Sequence, residues 1–208
     1  MEFEPKPTEQ LVEMYLSLEI EGEVTWPELS RGQASELEEV SARGESFVSQ
    51  VLNGELNPAT GQEEVSNLYQ SFSENNMDVA ETVKYAELFT LAKVWISHSI
   101  HLLKKLGPFG EGITDAQEKA ARLLMEMDLH AGFPSSLNFG HISRCLIGAG
   151  KKDQAFKLIN KFEGEVVLVR NQKEGRKVLQ ILGEKDEKNL NEGIGFIDDA
   201  NRNNSRLQ

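Results

Sequence analysis

The sequence predicts an all-α protein, a helical bundle or short α-solenoid of about seven to eight helices with at most one short strand. Three observations predict it. Apolar residues recur at intervals of three and four along most of the 208 residues, the spacing that gathers them on one face of a helix. The stretch from Asp78 to Leu106 is apolar around much of its circumference, as a helix surrounded by other helices must be. Only "EVVLVR", residues 165–170, reads as a strand. One strand alone makes no sheet, so a helix leading into "GRKVLQILG" fits there equally.

The elements follow in chain order. Thr8 is expected to cap a first helix, "EQLVEMYLSLEI", with Leu11, Tyr15 and Leu18 on one face. After a loop at Trp26-Pro27, "ASELEEVSARGESFVSQVLNG" carries Leu37, Val40, Phe47, Val48 and Val51 and ends near Gly54. Thr60 opens a third helix with Val65, Leu68, Tyr69 and Phe72. Asp78 caps the longest helix, whose core residues include Leu88, Trp95 and Leu103. Thr114 with Gln117 makes a capping box for "DAQEKAARLLMEMDLHAG". These elements group into an acidic helical region at 1–75, a helical-hairpin core at 76–183, and a polar, partly disordered tail at 184–208.

"CLIGAGKKDQAFKLI", residues 145–159, tests a nucleotide-binding reading. A phosphate-binding loop needs Gly, four residues, then Gly-Lys-Ser/Thr. Counting back from Gly150-Lys151 puts Cys145 at the first glycine, and Lys152 replaces the hydroxyl. The dinucleotide pattern fails too, because Asp153 stands where its third glycine would be. Phe139, Ile142, Leu146 and Ala149 upstream follow a helical spacing. The segment is therefore a turn between helices, with Gly150 left-handed and Asp153 capping the next helix. "DANRNN", Asp199 to Asn204, imitates the start of a calcium loop, but it lacks the glycine at position 6 and the acid at position 12.

Charge divides unevenly. The net charge is -12, yet residues 1–87 hold 19 acids against 4 bases, while the remainder holds 15 against 18. An acidic half and a mildly basic half attract each other or face different partners. Residues 144–177 concentrate nine Lys and Arg against four acids. The single cysteine, Cys145, excludes an intrachain disulfide and any multi-cysteine zinc site. No apolar run reaches the roughly 20 residues of a membrane helix, and "MEFEPKPTEQ" is not a secretory signal. A soluble cytoplasmic protein with no membrane attachment is expected.

Chemistry-bearing residues are sparse. His98 and His101 lie three apart on one helical face, and a two-histidine, one-carboxylate site would need Glu126 or His130 at the same level. Helix register places those one to two turns away, so no bound metal and no cofactor are expected. His141 and Cys145, four apart, lack a third orienting group. No glycine-framed nucleophile is present.

Two helix pairs repeat each other. Ala120, Leu123, Leu124 and Met127 match Ala155, Leu158, Ile159 and Phe162 at a constant offset of 35. Residues 137–163, "LNFGHISRCLIGAGKKDQAFKLINKFE", resemble a tetratricopeptide- or pentatricopeptide-type helical hairpin, with a poorer copy at about 96–127. The resemblance implies a groove lined by the first helix of each hairpin, where His98, His101, His141 and Arg144 fall. The expected function is a non-catalytic protein–protein interaction module, of adaptor, inhibitor or immunity type, whose acidic half selects a protein with a basic surface. The alternative is an RNA-binding helical-repeat protein using Lys151, Lys152 and Lys157 within 144–177. A helical metalloenzyme using the histidines is the second alternative. The sequence carries no signal of oligomeric state.

Overall fold

The computed structural model describes residues 6–19, 27–107, 110–134 and 136–162, and everything below concerns these. They form seven α-helices and no strand: α1 Thr8–Leu16, α2 Arg31–Asn53, α3 Pro58–Asn75, α4 Ala80–Leu106, α5 Ile113–Ala131, α6 Ser136–Gly148 and α7 Lys152–Phe162. A three-residue 3₁₀ helix, Met77–Val79, joins α3 to α4. The run at 165–170, the tail and the part of the basic segment after Phe162 lie outside the described residues.

Helix α4 is the spine because its sequence turns apolar residues in two directions. Leu91 and Val94 join Val51, Val65 and Tyr69 in one core cluster, built with α2 and α3. Ala92 and Trp95, one position further round the helix, enter a second cluster built with α1, α5, α6 and α7. Adjacent residues on a helix diverge by about 100°, so one helix serves both cores. The first helix does not pack with its sequence neighbours; it rests on α5 and α7. Edge-on ring contacts at 5.7 Å link Tyr15 to Phe162, and Phe162 to Phe139.

Helix ends obey the expected chemistry at other residues. Ser30 and Gln33 form a capping box on α2, at 3.3 Å and 2.9 Å. The Asn57 side chain accepts from the Ala59 amide at 2.9 Å and Pro58 starts α3, so Thr60 is not the cap. Thr8 is already inside α1, which starts after Pro7 without a side-chain cap; its hydroxyl bonds Glu118. Leu18 falls beyond the end of α1. Asp78 sits in the 3₁₀ turn, where it accepts from Gln33 Nε2 at 3.1 Å instead of capping α4. Thr114 and Gln117 form no box, because α5 begins two residues earlier than expected, after Gly112. Asp153 likewise belongs to the first turn of α7, where its charge still favours the exposed amides. Gly150 takes φ of 76°, the left-handed turn expected between helices.

One expected core residue is corrected. Trp95 is buried at 6 % exposure, but Leu103 is 37 % exposed. The last turn of α4 outruns the helices that cover its middle, and residues 103 to 106 all face solvent.

Candidate functional site

Each expected site residue has a definite place. His101 is half-buried at the end of α4, its Nδ1 3.2 Å from the Leu52 carbonyl oxygen at the end of α2. Its ring lies where a side chain at Gly54 would project, only 2.4 Å from an added Cβ. Half-buried His98 packs edge-on to Trp95 with ring centroids 6.1 Å apart. Burial, then the neighbouring His101 and Lys119, hold its pKa below the usual imidazole value. His141 and Arg144 are half-buried on α6, a different helix, which also packs on α5. Among the described residues no three His, Cys, Asp or Glu side chains gather as a metal-binding group.

The His141 and Cys145 pair tests for nucleophilic chemistry. A reactive pair needs the thiol lowered and the imidazole charged. Burial does the reverse: it pushes the Cys145 thiol up against the opposing pull of Arg144. It also depresses His141 to about 4, helped by Arg144. Both groups are held neutral, which suits a core contact and not a nucleophile.

The lysines nominated for RNA meet carboxylates instead. Lys151 lies 2.8 Å from Glu9 and 3.2 Å from Glu118. Lys157 lies 2.8 Å from Glu13, and Lys161 donates to the Leu16 carbonyl. The Glu9 carboxylate raises the Lys151 pKa, and Glu13 raises that of Lys157. Helix α1 thus spreads its acids over α7. The long-range attraction between the two halves of the chain is met inside the molecule. Lys152 is half-buried at the start of α7 and has its own interaction.

Two features escaped the sequence reading. The first is Asp128 on α5, fully buried. Tyr15 donates to it at 2.7 Å and Asn138 of α6 at 2.6 Å. The carboxylate thus ties α1 and α6 to α5, and Asn138 also hydrogen-bonds the Tyr85 hydroxyl of α4. The available signal was its position between Leu124 and Ala131 on the apolar face of "LLMEMDLHAG".

The second is a groove of about 490 Å³ between the end of α3 and the start of α4. Asn76 leaves the helical conformation, and the 3₁₀ turn that follows separates the two helices there. Tyr69, Gln70 and Glu74 form one wall, Val83, Lys84 and Glu87 the other, and Met77 stands at the rim. Met77 is 80 % exposed, unusual for an apolar side chain of its size. Lys84 pairs with Glu87 at 2.8 Å. The lining holds two carboxylates and one lysine, and Asp78 and Glu81 beside it are exposed; α2 and α3 as a whole are acidic, with eight acids and two bases over residues 31–75.

Comparison with family models, with curated proteins and with solved structures finds no match. No helix among the described residues is long and apolar enough to cross a membrane.

Proposed function

We propose that the chain is a non-catalytic protein-interaction module that takes a partner with a basic surface at the groove between α3 and α4. The observation that carries this reading is the groove between α3 and α4, with exposed Met77 at its rim and Glu74 and Glu87 on opposite walls. An apolar anchor flanked by Glu74, with the exposed acids Asp78 and Glu81 nearby, suits an amphipathic basic segment, since the apolar contact supplies affinity and the charges supply steering and selectivity. The likeness of residues 137–163 to a tetratricopeptide-type hairpin supports a binding role for the fold. The docking surface proposed here differs from the one that likeness implies: His101 is half-buried against the end of α2, and His98 is half-buried beside Trp95 and Lys119 of α5.

The neutral state of buried Cys145 and of His141 supports the non-catalytic part. The RNA reading is less favoured because Lys151 and Lys157 are paired to α1.

Affinity capture with the whole chain, with and without nuclease, tests the proposal. A retained basic protein that is lost with Met77→Asp or with Glu74→Lys plus Glu87→Lys is the expected result. Its association should slow as salt rises past roughly 0.15 M, where the Debye length is about 8 Å. Nuclease-sensitive recovery that depends on Lys151, Lys152 and Lys157 would reject the protein partner in favour of RNA.

A further inference from the structure

Helix α1 is bound like a recognised peptide. At nine residues it is well short of the length, about 12 to 15, at which an isolated helix is even marginal in water. It has no side-chain N-cap. Its helical state therefore depends on the surface beneath it. That surface belongs to α5 and α7, which are remote in sequence, while α2 and α3, the next helices in the chain, build the other core cluster.

The contacts divide by chemistry. Leu11, Val12 and Tyr15 insert with no exposure at all. The Tyr15 hydroxyl finds the buried carboxylate of Asp128 at 2.7 Å. Along the edge, Glu9 and Glu13, four apart, meet Lys151 and Lys157, both at 2.8 Å. At the far end Lys161 donates to the Leu16 carbonyl, one of the acceptors a helix leaves open at its C-terminus. An amphipathic helix in an apolar groove, read by anchors at spacings of three and four, is a recurrent mode of peptide recognition.

We propose that the face formed by α5 and α7 is a second binding site, selective for acidic amphipathic helices of other proteins, and that α1 is its resident, displaceable ligand. The occupant carries two carboxylates one turn apart on its edge and two adjacent aliphatic residues and a tyrosine on its buried face. This site is independent of the acidic groove between α3 and α4, and lies in the other core cluster. A helix from another protein must displace a tethered competitor, whose effective concentration is on the order of millimolar. Release of α1 thereby sets the affinity for the external helix.

The test uses the full chain with a protease site substituted within residues 20–26. Its probe is a fluorescein-labelled peptide of residues 6–19, "KPTEQLVEMYLSLE", followed by anisotropy. After cleavage the chain should bind the probe saturably, on the order of 100-fold or more tighter than the uncut chain. A peptide with Glu9→Lys and Glu13→Lys should bind at least about fivefold more weakly, as expected from losing two exposed ion pairs. That loss should be recovered on a chain carrying Lys151→Glu and Lys157→Glu. Equal binding to cut and uncut chains would overturn the proposal by placing the peptide elsewhere. Failure of the cut chain to exchange α1 over days, or its aggregation with no rescue by added peptide, would overturn it by making α1 an integral core helix. Dimerisation of the uncut chain that the free peptide dissolves would assign the site to α1 of a second copy and reject an external helix.

Discussion

The hydroxyl of Tyr15 on α1 donates to the carboxylate of Asp128 on α5 across 2.7 Å, with both side chains sealed from solvent. Burial and the nearby negative charge push the tyrosine pKa far upward, so the phenol stays a donor. Tyr15→Phe keeps the ring packing and removes that donor from a buried carboxylate. The cost should be about 1 to 3 kcal/mol in urea unfolding. A loss below about 0.5 kcal/mol would mean that Asp128 does not depend on Tyr15.

His141 gives the fold a pH dependence. Its folded pKa, about 4, is below the ordinary value of 6.5, because burial disfavours the charged ring. The unfolded chain therefore binds more protons as pH falls through this window, and stability declines from about pH 6.5 towards pH 4. His98, shifted in the same direction, adds to the slope. Comparing urea midpoints at pH 7 and pH 5, where most carboxylates remain charged, His141→Gln should lose about 1 kcal/mol less than the parent chain. Parallel losses in the two proteins would remove His141 as the source.

Gly54 and His101 should be energetically coupled. Gly54 ends α2 with φ of 76°, a conformation that costs any other residue about 1 to 2 kcal/mol. An alanine there also meets the His101 ring at 2.4 Å. Gly54→Ala should cost more in the parent chain than in a His101→Ala background, by about 0.5 kcal/mol or more in a double-mutant cycle. Additive costs would show that the ring gives way freely.

Trp95 and Leu103 lie on the same helix, one buried and the other partly exposed. Trp95 packs into the core under Lys119, whose ammonium sits 4.2 Å from the ring centroid, and donates from Nε1 to Gln62 at 3.0 Å. Trp95→Ala should cost about 3 to 5 kcal/mol, whereas Leu103→Ala should cost under about 1 kcal/mol. Chemical denaturation of the two variants separates them, and equal losses would refute the assignment.

Much of the fold was legible because helix periodicity is a local property. The stripe Val65, Tyr69, Phe72 identified the buried face of α3, and Gly54 and Gly150 marked turns that need a positive φ. The caps were less legible. Ser, Thr, Asp and Asn recur near helix starts, and a shift of two residues, as at Thr114, moves a cap into the first turn. Leu103 misled for a related reason: periodicity identifies a face but not where the covering helices stop.

Local spacing in this sequence was enough to decide that the described residues are helical, that α4 lies at their centre, and that "GAGKK" is a turn. Tertiary structure decided the rest. Lys151 and Glu9 are 142 residues apart, and Tyr15 and Asp128 are 113 apart. Patterns of three and four residues carry no information about which distant side chains will meet. Their meeting depends on how two amphipathic faces dock, and docking turned a basic stretch that suggested nucleic acid into the seat of the chain's own acidic helix.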